Sequence, residues 1–226
     1  MILVIESSAD YPSVSLTDER GSLLWSETVF TKQSHSEQLP LLVEKAVTEI
    51  RLNGGSLKAV AVNQGPGSYT GLRIGVSLAK GLCFALGCKL ISINGLTAMA
   101  TWAIDQGHTT DGSVCAMLDA RRDEVYISVV QSDGKILKEV EALILSKGCL
   151  DNLVDLNRTI FIGNSGEKAK RLLEAPNVQV IDGPESRMFI KAAAKKFVQS
   201  EFEDVAYFEP RYLKEFIAGI SQKFSV

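Results

Sequence analysis

Apolar and polar positions fall into short blocks along the chain. Ile2 to Ile5 is an unbroken apolar run, and Val14 and Leu16 then alternate with Ser13, Ser15 and Thr17. Asp18-Glu19-Arg20-Gly21 supplies a turn, after which Leu23 to Phe30 resumes strand character. Period-two alternation at this spacing predicts a three-stranded antiparallel meander. Leu39, Leu42, Val43, Ala46, Val47 and Ile50 follow at helical period, with Ser34 or Ser36 as the cap and Asn53-Gly54-Gly55 as the stop. Ala59 to Val62 reads as a buried strand, Ile74 to Leu82 as a helix, and Leu90 to Ile93 as another strand. Asn94-Gly95 opens a helix through Ile104, and Gly107 to Gly112 is a polar break.

The second half repeats the style. Val114 to Leu118 is a strand ending at Asp119, and Glu124 to Val130 and Ile136 to Ala142 add two more. A short helix is expected from Ser146, then the strand Thr159 to Ile162, then Gly163-Asn164-Ser165-Gly166 before a helix with Leu172 and Leu173. Ser186 to Val198 is a further amphipathic helix. Two halves that each open with a meander and then add helices predict a duplicated α/β unit in the two-lobed actin-like architecture. Residues 1–106 form the first lobe on this reading and 107–209 the second. In such folds a nucleotide sits in the cleft between the lobes.

Composition narrows the class. The chain has 226 residues, 46% hydrophobic and 23% charged, and these values describe an ordinary globular protein with room for a substantial core. Its net charge of −3 argues against a dedicated nucleic-acid binder, though not against a subunit whose partner holds the RNA. Met1 to Glu6 has no basic region and meets a carboxylate too early for a signal peptide, and Arg73, Lys80 and Lys89 interrupt the most apolar later stretch. A cytoplasmic protein away from the membrane is expected. Cys83, Cys88, Cys115 and Cys149 lack C-x-x-C spacing and read as reduced, buried thiols.

Gly65-Pro66-Gly67-Ser68-Tyr69-Thr70-Gly71-Leu72-Arg73 lies at a strand-to-helix turn. Three glycines there bring bare backbone close to something else, and the N–H groups at the head of the helix suit an anion. A sharp turn packed against a neighbouring segment is the other reading. The spacing fits neither G-x-G-x-x-G, nor the P-loop, nor the G-x-S-x-G elbow.

Ile5-Glu6-Ser7-Ser8, His35-Ser36-Glu37, the glycine segment through Gly75, Ala79-Lys80-Gly81, Asp119-Ala120-Arg121-Arg122-Asp123-Glu124-Val125-Tyr126 and Pro210-Arg211-Tyr212-Leu213-Lys214 occur in this order. Together they resemble the TsaB (YeaZ) family, the non-catalytic subunit of the bacterial system that makes threonylcarbamoyladenosine in tRNA. The resemblance covers essentially the whole chain. It implies pairing with the paralogous transferase TsaD and with the small ATPase TsaE, a homodimer in isolation, and contact with tRNA only through the complex. It also implies that a C-terminal segment, about 210–226, packs back on the first lobe. In TsaD a helix after the glycine loop carries two metal-binding histidines four residues apart. Aligned on that loop, this chain has Gly95 and Met99 there, and its two histidines, His35 and His108, lie in different segments. No metal site and no cofactor are expected.

The remaining polar positions carry paired readings. Glu6 and Asp119 end the first strands of the two halves, where actin-like ATPases place phosphate-side carboxylates. Each could instead bond its own turn. Arg121, Arg122, Asp123 and Glu124 form either a solvated turn or an interlobe salt network. His35 reads as a helix-start hydrogen-bonding residue, and Ser68 and Thr70 as caps. A degenerate cleft or anion loop would comprise Glu6, Ser7, Gly65, Gly67, Ser68, Thr70, Asp119 and Arg121. The two first-lobe helices carry more apolar positions than one buried stripe needs. That surplus, with the family's mode of pairing, assigns a partner face to Leu39, Leu41, Val43, Val47, Ile74, Leu78, Leu82 and Ala85. The alternative function is an independent phosphotransferase using Glu6 and Asp119 with magnesium. A glycoprotease ranks last, for lack of a nucleophile–base pair.

Overall fold

A computed structural model describes residues 1–32 and 34–214. The meander is β1 (Ile2–Glu6), β2 (Ser13–Thr17) and β3 (Leu23–Thr28), followed by α1 (His35–Leu52), β4 (Ala59–Gly65), α2 (Tyr69–Leu86), β5 (Lys89–Asn94) and α3 (Gly95–Asp105). The second half holds β6 (Ser113–Asp119), β7 (Glu124–Gln131), β8 (Ile136–Ile144), β9 (Thr159–Ile162), α4 (Gly166–Leu172), β10 (Gln179–Ile181) and α5 (Ile190–Val198).

The sheets repeat one topology. The first runs β3-β2-β1-β4-β5 and the second β8-β7-β6-β9-β10. In each, the first three strands are antiparallel and the last two run parallel to the first. This duplicated order, with a strand meander leading each half, is the two-lobed actin-like arrangement.

Alternation along the strands sends side chains into three apolar clusters. Leu3, Ile5, Val60 and Val62 face outward under α1 and α2, where Leu39, Leu42, Ala46, Val76 and Ala79 meet them. Ile2, Val4, Ala59 and Ala61 face the other way, into a cluster shared with Val114, Ala116 and Leu118 of the second sheet. Met99 of α3 and Phe189 and Ala193 of the 186–198 segment fill this middle layer. Cys115, Met117, Ile127 and Phe161 form the outer cluster of the second half. The two sheets therefore share one continuous core between them.

Several local expectations change. The helix expected from Ser146 is a run of turns, because Gly148 takes a left-handed φ of +80° that ends any helical continuation. The 186–198 helix begins as a 3₁₀ turn, Ser186–Phe189, whose first N–H is held by the Ser13 hydroxyl at 2.8 Å. Strand β3 stops at Thr28, two residues short of Phe30. The short strand β10 had no counterpart in the sequence reading.

Candidate functional site

Strand β4 ends at Gly65, and after a cis Gly65–Pro66 bond the chain enters α2 with Ser68 as its cap. The Ser68 hydroxyl accepts from the Gly71 N–H at 3.2 Å. Thr70 lies within the helix and is exposed. The glycines explain themselves by what lies against them. A Cβ on Gly67 would strike the Ser8 carbonyl, one on Gly71 the Ser7 carbonyl, and one on Gly75 the Ser7 hydroxyl. The Ser68 N–H donates to the Ser8 carbonyl at 2.7 Å, and the Gly65 N–H donates to the Asn63 side chain at 3.0 Å. These close approaches press the β1–β2 turn against the head of α2. The Gly65, Ser68 and Gly71 N–H groups, three donors around the head of the helix, are thus spent on the chain's own oxygens.

Glu6 closes the same knot. Its carboxylate is fully buried and accepts from the Ser8 N–H, the Ser8 hydroxyl at 2.6 Å and the Asn63 amide at 2.7 Å. Burial pushes its carboxyl above the usual range, while the Ser8 and Asn63 hydrogen bonds pull it back. Asn63 is the site residue that the sequence reading missed. Its signal was a polar side chain directly after the apolar run Ala59 to Val62. Ser7 is buried, with a hydroxyl that has no partner among the described residues.

Asp119 sits in the other half, half-exposed, and pairs with Lys168 of α4 at 2.5 Å while accepting from the Arg121 N–H at 3.1 Å. Lys168 also donates to the Glu124 carbonyl at 2.7 Å. Arg121 and Arg122 both adopt positive φ, +71° and +50°, in the tight β6–β7 turn, and both are exposed. Glu6 and Asp119 are thus each held within their own half. Among the described residues, no three His, Cys, Asp or Glu side chains cluster in a way that could hold a metal ion. His35, the first residue of α1, is buried. Its imidazole is drawn below the usual value by that burial, against a hydrogen bond to the Ala9 backbone. All four cysteines are free, and burial pushes the Cys115 thiol up to about 12.

The outer helices divide the proposed partner face. Leu39 and Val43 are 0% and 5% exposed and belong to the core beneath α1, so they are unavailable to a partner. Helical geometry decides this, since positions 39, 42, 43, 46 and 50 form the inward stripe. Leu41 and Ala85 are exposed, while Val47, Ile74, Leu78 and Leu82 lie half-buried at the rim of the core. Phe84 of the same helix, omitted from the sequence reading, is 86% exposed. Residues 74, 78 and 82 recur every four positions and so make one apolar ridge along α2. Among the described residues, no helix is long and apolar enough to cross a membrane.

A duplicated meander sheet with a glycine turn closed on its own backbone places the molecule among two-lobed actin-like proteins. A family model described as TsaD, tRNA N6-adenosine threonylcarbamoyltransferase, matches residues 29–215. The Bacillus subtilis tRNA threonylcarbamoyladenosine biosynthesis protein TsaB is 28% identical over 176 residues, spanning 76% of this chain and 75% of that one. Its Escherichia coli namesake is 25% identical over 225 residues, 96% of each chain. A solved structure described as an uncharacterized protein with similarity to peptidase YEAZ, from Pseudomonas aeruginosa, shares the fold. It superposes with a TM-score of 0.77 at 23% identity, over 94% of this chain and 99% of that one. The chain belongs to the TsaD family, among its TsaB members.

Proposed function

We propose that this chain serves threonylcarbamoyladenosine formation in tRNA as a non-catalytic subunit, pairing with the TsaD transferase through the outer face of α1 and α2. One observation carries the reading. Groups that would meet phosphate or metal in an active relative are committed to internal contacts: Glu6 to Ser8 and Asn63, Asp119 to Lys168, and the head of α2 to Ser8. The half-exposed ridge of Ile74, Leu78 and Leu82 offers a partner what the cleft does not offer a substrate. In the same proposal the chain forms a homodimer alone, exchanges it for the TsaD heterodimer, and so presents a platform for the TsaE ATPase. It meets tRNA only through that assembly.

Reconstitution tests this. The purified chain should hydrolyse neither ATP nor peptide above background. Added to TsaD, TsaE and the remaining components, it should be required for modified tRNA, and Asp119→Asn should leave the yield within about twofold, as expected where no chemistry passes through the residue. Hydrolysis by the isolated chain that Glu6→Gln or Asp119→Asn abolishes would restore the phosphotransferase reading.

A further inference from the structure

After α5 the chain returns across the first half. Glu203 bridges to Leu90 at the edge of β5 and accepts from the Ser92 hydroxyl at 2.5 Å. Val205 and Phe208 pack on the outer core, and Lys80 of α2 donates to the carbonyls of Ala206 and Phe208 at 3.1 and 3.0 Å. Beyond Glu209 and Pro210, the four residues Arg211 to Lys214 leave that surface and cross to the other sheet.

Each of the four makes a separate contact. The Arg211 N–H donates to the Gln64 carbonyl at 2.7 Å, and its own carbonyl stands 2.7 Å from where a Gly65 Cβ would be. Gly65 has φ +104° and no side chain, and both features let the strand pass directly over it. Tyr212 lies on Tyr69 with ring centroids 4.8 Å apart, and the Arg73 guanidinium covers the same Tyr69 ring at 4.4 Å from its centroid. Leu213, half-buried, packs against the apolar layer between the sheets. Lys214 reaches the β6–β7 turn, donating to the Ala120 carbonyl at 3.3 Å and to the Glu124 carboxylate, with its ammonium over the Tyr126 ring.

We propose that Arg211–Lys214 is a clasp that ties the two lobes together, from the end of β4 to the β6–β7 turn. Apolar packing between the sheets is non-directional and tolerates sliding. The clasp adds directional contacts on both sides: a backbone hydrogen bond to β4, and an ammonium shared by a carbonyl and a partly buried carboxylate on the β6–β7 turn. Opening the lobes therefore requires breaking the Lys214–Glu124 pair. The clasp also gives Gly65 a role that a phosphate does not, since the backbone it admits is the chain's own.

Hydrogen exchange on the full chain tests the clasp with a charge swap. Lys214→Glu should raise exchange at least threefold at the Arg211 amide, at Gly65 and Ser68, and at Arg121 and Glu124, while α1 and the central strands keep wild-type rates. Glu124→Lys should do the same, and the Lys214→Glu/Glu124→Lys double variant should recover protection to within twofold of wild type. Wild-type rates at both turns in Lys214→Glu would overturn the proposal. So would a uniform rise over the whole chain that the double variant fails to reverse, because that pattern marks lost stability instead of released lobes.

Discussion

Ser7 and Gly75 show how closely single atoms decide this site. The Ser7 hydroxyl is buried, has no hydrogen-bond partner among the described residues, and occupies the space that a Gly75 side chain would need. Gly75→Ala should cost about 1–3 kcal/mol by overpacking. Ser7→Ala should be neutral or stabilising, since the hydroxyl it removes is buried with no hydrogen-bond partner among the described residues. The double variant should then be more stable than Gly75→Ala alone, and urea unfolding of the four proteins gives the coupling. Strict additivity would contradict the contact. Glu6 supplies a pH test. Its folded carboxyl titrates above the unfolded value, so the folded state is favoured most below an unfolded pKa of about 4.3, and the benefit is lost as pH rises through the folded value. Glu6→Gln cannot titrate. The stability gap between wild type and variant should therefore move toward the variant as pH rises from about 4 toward neutral. A gap constant across that range would contradict a raised carboxyl.

At the scale of elements, legibility follows the range of the interactions. Helix α2, its Ser68 cap and the strands on either side were readable because their signals, a period and a cap, are local; the left-handed Gly87 that closes the helix was not read. Strand β2 was readable as a strand, but its burial was not. Ser13, Ser15 and Thr17 alternate as a solvated face would, yet all are buried, and Ser186 bonds Ser13 and Ser15 from 173 and 171 residues away. No window of sequence contains that pairing. The glycine segment shows the same limit. Its residue types required close backbone approach, which the structure contains, but they could not say that the approaching groups would be Ser7, Ser8 and Arg211. On α1, the apolar positions were identified, while the inward stripe that removes Leu39 and Val43 from the partner face depended on where the sheet lies.

Over the whole molecule, duplication was visible as a repeated order of strands and helices, and the two sheets carry it out in the same 3-2-1-4-5 sequence. What periodicity could not give was the way the halves join, with α3 and the 186–198 segment building one apolar layer between the sheets. Residues 107–209 and the segment from about 210 were assigned to lobes from a polar break and a family resemblance. Of that final segment, 215–226 lie outside the described residues. The resulting picture is a duplicated two-sheet fold whose halves share one apolar layer and whose α2 helix keeps a half-buried apolar ridge.

That face is where the proposal is most exposed to test. Leu78 stands at the middle of the α2 ridge, half-buried against the core and open on its other side. A central apolar residue of an interface is typically worth about 2 kcal/mol or more, so a charge there should weaken association about 30-fold or beyond. Gel filtration of Leu78→Glu, alone and mixed with TsaD, with circular dichroism as the check on folding, reads this directly. The expected result is a folded monomer that no longer co-elutes with TsaD. A folded variant that still dimerises and still binds TsaD as the wild type does would contradict the assignment of this face, and an unfolded one would place Leu78 in the core.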